Sequence, residues 1–377
     1  MNRAVALCAV FLSLAAWGGS SDVSFTRLPP GYVAGKVPLG NGNYAQALAP
    51  DPDNENFVYA AGLFGGANRI VRVNLATGVW TSVFTCPTTV TVSGFAVLNA
   101  QATFVSDNWH DHIYALLDNN PQDGDFDDPG ELRDLITPIL TNPGGDWTGT
   151  AVLALRGDSA RLGLPPNTIL FQSEDGGTTQ AEVLAVVNPT TAPAYQPPGG
   201  AFFSGFNYGG GLALDSAGRL LVASSFYPNN GRIWICDDLN HNGVIGPGES
   251  NFLVPQASPT TESAGLSGLA ADVGDHVYTT VGWGFGSSAQ SDIQQFLIPR
   301  NPLSDKAPVM TWASLNSPYV SALIFNSPSR PFTPWAQNGA TMVLAVYDSL
   351  WGNPEYLLTL KPVAPSGRLG AKRWKLY

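Results

Sequence analysis

The chain has 377 residues, 12% of them charged, with 29 acidic side chains against 18 basic ones and a net charge of −11. An acidic body repels phosphate backbones, so nucleic-acid binding is excluded as a role. The 41 glycines and 30 prolines favour many tight turns over long surface helices.

Residues 1–19 read as a secretory signal peptide. Arg3 supplies the basic start, Ala4 to Ala16 is apolar but too short to span a bilayer, and Gly18, Gly19 and Ser20 offer cleavage positions. No other stretch is long and apolar enough for a transmembrane span. The expected setting is therefore secreted or cell-surface. Export permits disulfides, yet only Cys86 and Cys236 follow the signal. On the fold argued below they fall on opposite sides of the molecule and read as separate, mostly buried thiols.

From residue 20 to 363 a pattern of strands recurs. A small-residue strand and a turn lead into an apolar strand, and a third strand follows that begins on a polar residue. The first copy is Ala45–Ala49, Phe57–Ala60 and Arg69–Val73, and the second is Gly94–Leu98, Thr103–Val105 and His112–Leu116. Gly149–Leu155, Thr168–Phe171 and Glu182–Val186 make the third. The fourth is the clearest, with Gly211–Asp215, Arg219–Ala223 and Arg232–Ile235. Gly268–Asp272, His276–Thr279 and Asp292–Phe296 make the fifth, and Val320–Phe325, Met342–Ala345 and Glu355–Thr359 the sixth. With an outer strand added, each copy has the content of a propeller blade. A β-sandwich accounts for strands and turns but not for six ordered copies. The expected fold is all-β, a six-bladed β-propeller of four-stranded antiparallel blades. Ser21–Leu39 is expected to supply a strand that closes the ring against the last blade. Residues 364–377 read as a basic tail.

Two loops carry metal chemistry. Asp238 to Glu249 fits the twelve-position pattern D-x-[DN]-x-[DN]-G-x5-E. The expected ligands are Asp238, Asn240, Asn242, the backbone of Val244, and Glu249, with Gly243 allowing the sharp turn. Strand-like flanks, and Pro247–Gly248 where a helix would otherwise follow, place the loop in a β-hairpin. The second loop holds Asp118, Asn120, Asp123, Asp125 and Glu131 in the corresponding place of the second copy. It is two residues longer, so its ligand register stays open. Both end in Pro-Gly-Glu. The expected cofactor is structural Ca2+.

The turns after the second strand of each copy ring one end of the axis. Asp107, Asn108, Trp109, Glu174, Tyr227, Trp283 and Asp348 lie there as candidate ligand-binding residues, acidic and amide groups for polar contacts and aromatics for stacking. His110 and His112 lack a third metal ligand nearby and read as ordinary histidines. Gly-x-Ser-x-Gly, His-Glu-x-x-His and phosphate-loop motifs are absent.

The six-copy pattern over Tyr44 to Pro362 resembles the broad superfamily of six-bladed propellers that includes NHL-type and gluconolactonase-like proteins, with calcium loops similar to those in hairpins of secreted bacterial propellers. The resemblance implies either a monomeric binding or scaffold module for an extracellular carbohydrate or protein ligand, or a lactonase- or lyase-like enzyme with an axial metal. The gluconolactonase-like branch takes a metal-ligating Glu from the first blade, and Tyr44-Ala45-Gln46-Ala47-Leu48 lacks it.

Overall fold

The computed structural model describes residues 22–107, 110–119, 122–136, 146–175, 180–207, 209–224, 232–254, 268–281, 290–317, 320–334, 336, 338–346 and 353–363. Two strands, β1 (Phe25–Arg27) and β2 (Tyr32–Pro38), precede the first blade. Blade 1 is β3 (Tyr44–Pro50), β4 (Phe57–Phe64), β5 (Ala67–Asn74) and β6 (Trp80–Thr85). Blade 2 is β7 (Gly94–Asn99), β8 (Ala102–Asp107), β9 (His112–Leu117) and β10 (Leu132–Ile136). Blade 3 is β11 (Asp146–Ala154), β12 (Ile169–Asp175) and β13 (Gln180–Val187), with a divided outer strand, β14 (Ala194–Tyr195) and β15 (Phe203–Asn207). Blade 4 is β16 (Gly209–Leu214), β17 (Leu220–Ser224), β18 (Arg232–Cys236) and β19 (Ser250–Val254). Blade 5 is β20 (Leu269–Ala271), β21 (His276–Val281), β22 (Ser291–Leu297) and β23 (Met310–Leu315), and blade 6 holds β24 (Val320–Phe325), β25 (Met342–Val346) and β26 (Tyr356–Pro362).

Every pairing is antiparallel, and the six inner strands β3, β7, β11, β16, β20 and β24 contact one another in sequence, with β24 returning to β3. The molecule is a six-bladed β-propeller, as the repeats predict. Close approach at the axis explains a glycine within β16 and another just before β20. A Cβ on Gly211 would lie 2.5 Å from Leu269 Cβ, and one on Gly268 would lie 2.8 Å from Leu323 Cβ. Only a residue without a side chain lets neighbouring inner strands come this near.

Both faces of each blade are covered by neighbours, so the middle strands carry long buried runs of apolar residues. Leu220, Leu221, Val222 and Ala223 are all fully buried, as are Ile169, Leu170 and Phe171. Each core cluster spans two adjacent blades, for instance Val343 and Ala345 of blade 6 with Val58, Ala60 and Val71 of blade 1.

The ring closes through the N-terminal segment. β2 is the outer strand of blade 6, paired with β26 in unbroken register from Tyr32↔Pro362 to Pro38↔Tyr356. That matches the expected closure. β1 was not foreseen; it adds a fifth strand outside blade 5, on β23. Also unforeseen is a short 3-10 helix, Asp158–Leu162, in the turn after the inner strand of blade 3. Cys86 and Cys236 are both free, one in blade 1 and one in blade 4. Burial pushes the Cys86 thiol up to about 12 and the Cys236 thiol well above its ordinary value, so neither is a reactive thiolate. Among the described residues no helix is long and apolar enough to cross a membrane.

Candidate functional site

The two ends of the ring differ. One end carries the turns between first and second strands and the long loops between third and fourth strands. A central cavity of about 1300 Å3 is lined by inner-strand side chains and by these turns, including Asp51–Asn56, Arg156, Arg161, Asp215–Gly218 and Asn326–Arg330. The turns are braced by carboxylates that close the inner strands. Asp51 accepts from the backbone N–H of Asp53 and Asn54 and pairs with Arg72 at 2.6 Å. Asp215 accepts from Ala217 and Arg219 N–H and pairs with the Arg219 guanidinium at 2.6 Å. Burial raises the Asp215 carboxyl above its ordinary pKa, against the opposing pull of Arg219. Asp272 repeats the arrangement in blade 5, accepting from Gly274 and His276 N–H. These carboxylates hold turns and leave no oxygen turned freely into the cavity at Asp51 or Asp215.

The basic groups at this mouth tie blades together. Arg156 donates to Val97 O of blade 2 at 2.9 Å, and Arg330 of blade 6 pairs with Glu55 of blade 1 at 2.6 Å. Arg161, on the 3-10 helix, grips Asp237 of blade 4 with two bonds of 2.7 and 2.6 Å. That grip raises the Arg161 pKa. Candidate ligand contacts were expected at the other end only, and Arg156, Arg161 and Arg330 had no expected role. Basic residues in the blade 3 and blade 6 connections were the available signal, but their partners lie far along the chain.

The opposite end carries the turns after the second strands. Asn108, Trp109, Tyr227, Trp283 and Asp348 lie outside the described residues, as does the side chain of Glu174. Asp107 is described. It ends β8 and is fully buried. One oxygen accepts from His110 N–H at 3.3 Å; the other accepts from Thr91 N–H at 2.9 Å and faces His110 Nδ1 at 2.8 Å. The His110 side chain is 45% exposed. A buried carboxylate on Nδ1 fixes the tautomer with the proton there and leaves Nε2 able to accept one. His112 is separate: its Nδ1 lies 3.1 Å from Asp134 of β10 and its ring stacks on Tyr114. The two histidines serve different carboxylates.

The Asp238 loop joins β18 to β19 at the periphery. Asp238 is buried, with Oδ2 accepting from Gly243 N–H at 2.7 Å and Oδ1 from Asn242 N–H at 3.2 Å. Glu249 reaches back so that Oε1 accepts from Leu239 N–H and Asn240 Nδ2, and Oε2 from Gly246 N–H. Asn242 Oδ1 takes Val244 N–H. The loop lies on blade 3: Ile245 N–H donates to Phe202 O at 2.8 Å. The Asp118 loop has the same frame, and its geometry gives the register that sequence left open. Asp118 Oδ2 accepts from Gly124 N–H, Glu131 Oε1 from Asn119 N–H and Oε2 from Asp128 N–H. Gly124 therefore corresponds to Gly243, Asp123 to Asn242 and Asp125 to Val244. One extra residue lies before the glycine and one after it. Asn120 lies outside the described residues. Among the described residues no three His, Cys, Asp or Glu side chains converge on one metal-sized space.

No protein-family model matches the sequence, and no curated protein matches it. Solved structures do. Regucalcin, a calcium-binding protein from Agrobacterium tumefaciens, superposes with a TM-score of 0.54 at 11% identity, covering 88% of this chain and 97% of that one. A luciferin-regenerating enzyme gives 0.55 at 12% identity, with 88% and 95% covered. A gluconolactonase from Xanthomonas campestris gives 0.54 at 10% identity, with 93% and 98% covered. At these identities the likeness is one of fold, and it agrees with the six blades described above.

Proposed function

We propose that the chain is a lactonase-like hydrolase working at the end of the propeller where β8 finishes, with His110 as general base and Asp107 as the residue that positions it. The carrying observation is the half-exposed imidazole held at 2.8 Å by a fully buried carboxylate. The solved structures of similar fold include one described as a gluconolactonase, which points the reading toward cyclic esters. In the reaction, water attacks the lactone carbonyl and forms the new C–O bond while His110 Nε2 takes its proton. The ring C–O bond breaks, and the proton passes from His110 to the departing ring oxygen, giving a hydroxy acid. An axial metal, as the gluconolactonase-like branch implies, does not fit the described residues. The first inner strand carries no Glu in the place where that branch takes its ligand. No step is assigned to such a metal.

The test is pH-stat hydrolysis of D-glucono-1,5-lactone by the full chain and by His110→Gln and Asp107→Asn. Turnover lost in the first variant, and a displaced pH profile in the second, support the assignment. Equal turnover in all three, or none in the parent chain, removes it. In the latter case the binding reading takes precedence, supported by the 1300 Å3 axial cavity, with a carbohydrate or protein ligand. We further propose that the protein is exported, monomeric, and holds structural Ca2+ in the Asp238 loop, where Asp238, Asn240, Asn242, Val244 and Glu249 complete the oxygen pattern.

A further inference from the structure

Asp118 and Glu131 are 3% and 2% exposed and enter the blade 2 loop from its two ends. Neither makes an ion pair with a basic side chain among the described residues. Two buried carboxylates without a countercharge are strongly disfavoured. Asp118 Oδ2 is turned inward, onto the Gly124 N–H across the loop, and Asp118 Oδ1 is enclosed beside it with no hydrogen-bond partner among the described residues. A buried carboxylate oxygen without a donor lacks something positive. In the Asp238 loop both oxygens of the matching residue accept N–H bonds, so the loop with the poorer sequence match has the stronger structural sign of a missing cation.

The same loop crosses to the neighbouring blade. Phe126 N–H donates to Val83 O of β6 at 2.7 Å, and the Phe126 ring is buried in the core cluster shared by blades 1 and 2. Asp127 accepts from Thr85 N–H at 2.6 Å and from Thr85 Oγ1 at 3.2 Å. These contacts fall between Gly124 and Asp128, the two residues whose N–H groups bind Asp118 and Glu131.

We propose that the 118–131 loop is a calcium site whose occupancy locks blade 2 onto blade 1. Asp118 Oδ1 is the anchoring ligand and Glu131 the opposing carboxylate. Backbone carbonyls, water, the exposed Asp123 and the half-buried Asp125, drawn inward on binding, complete an all-oxygen shell, which suits Ca2+ rather than a softer metal. The cation pulls both ends of the loop inward and thereby fixes the segment that carries Phe126 and Asp127 into β6. This is independent of the axial reaction.

The test uses the full chain, stripped with a chelator and dialysed, in hydrogen exchange with and without CaCl2. Calcium is expected to slow exchange at least about tenfold both in 122–131 and in the β6 segment around Val83–Thr85. Asp238→Asn keeps this protection and Asp118→Asn loses it. Asp127→Ala removes both bonds to Thr85 and leaves the ligands in place, so it keeps calcium binding by calorimetry and protection in 122–131 but loses protection at Thr85. The inference is overturned if calcium gives no protection in 122–131, if Asp118→Asn responds like the parent, or if protection stays in the loop and never reaches β6. Should Asp118→Asn fail to fold, the Asp127→Ala comparison decides.

Discussion

Gly163 follows the 3-10 helix of blade 3 with φ +63°, and its α-carbon faces the Asp238 loop of blade 4. A Cβ there would run into Asp238 Oδ2 and lie 2.7 Å from His241 C and 2.8 Å from Gly243 N. Two costs follow for Gly163→Ala. The left-handed backbone costs about 1–2 kcal/mol for a residue with a side chain, and forcing a methyl against backbone atoms costs about 1–3 kcal/mol more. The sum is about 2–5 kcal/mol. With about 2.1 cal/mol/K of unfolding entropy per residue, a propeller of this size loses roughly 3–7 °C in Tm. Gly248→Ala is the control. It also has positive φ, 85°, and lies at the far end of the loop, but a Cβ on it would meet nothing within 4 Å. It carries the backbone cost alone, about 1–2 kcal/mol, or roughly 1–3 °C. The assay is thermal unfolding by calorimetry in calcium and in chelator. Gly163→Ala should fall further than Gly248→Ala and should also weaken the calcium response, because Asp238 is the atom group displaced. Equal shifts in the two variants would refute the docking of the Asp238 loop on blade 3 as the source of the effect.

Three further outcomes are expected. Gly268→Ala places a methyl 2.8 Å from Leu323 Cβ and 3.1 Å from Leu323 N at the axis; it should destabilise by about 1–3 kcal/mol, seen as a lower denaturant midpoint with an unchanged slope. Arg161→Met leaves the Asp237 carboxylate, whose side chain is 4% exposed, without its guanidinium. Because Arg161 is itself 44% exposed, screening limits the loss to about 1 kcal/mol, and a double-mutant cycle with Asp237→Asn should give a favourable coupling. His276 stands beside Asp272, with Nδ1 3.5 Å from Oδ1, and that carboxylate raises the imidazole pKa above its ordinary value of 6.5. The protonated form is thus favoured in the folded state: its contribution is fully present below about pH 6.5 and is lost as pH rises through the raised value. His276→Gln should flatten this part of the stability–pH curve.

Six blades were legible because the inner and middle strands are constrained from all sides. Neighbouring sheets demand apolar runs such as Leu220–Ala223, and crowding at the axis demands Gly211 and Gly268, so the same words recur along the chain. Outer strands are free of that demand. Blade 3 divides its outer strand into β14 and β15, and blades 5 and 6 take theirs partly from β1 and β2 at the other end of the chain. The hairpin position of both acidic loops could be read from their flanks, since strands resume after Pro-Gly-Glu. The register of the Asp118 loop could not, because it depends on which N–H each carboxylate takes. At the axial end Asp107 was found from its place in the turn, but its burial and its hold on His110 needed coordinates. The arginines of the opposite mouth escaped for another reason. Arg156 and Arg161 meet partners 59 and 76 residues away, and nothing local in the sequence records such a pairing.

The acidic loops belong to a wider device at the rim. In three blades the connection between third and fourth strands gives one backbone N–H to the outer edge of the blade before it: Phe126 to Val83, Ile245 to Phe202, and Ala307 to Leu253. Blade 1 makes an equivalent contact with the last blade, where Trp80 Nε1 donates to Leu39 O. In blades 2 and 4 the connecting loop is built around buried carboxylates. In blade 5 it carries its own positive charge instead: Lys306 donates to Asn251 Oδ1 and Phe252 O of blade 4, each at 2.6 Å. The joint between blades 4 and 5 is thus held by an ammonium group that is always present. If Ca2+ occupies the acidic loops, the joints between blades 1 and 2 and between blades 3 and 4 are held by an ion whose concentration the surroundings set. A ring stabilised in this way is most strained, without calcium, at two particular seams rather than uniformly around the axis. One of those seams lies beside the blade whose second strand ends in Asp107 and the turn that carries His110.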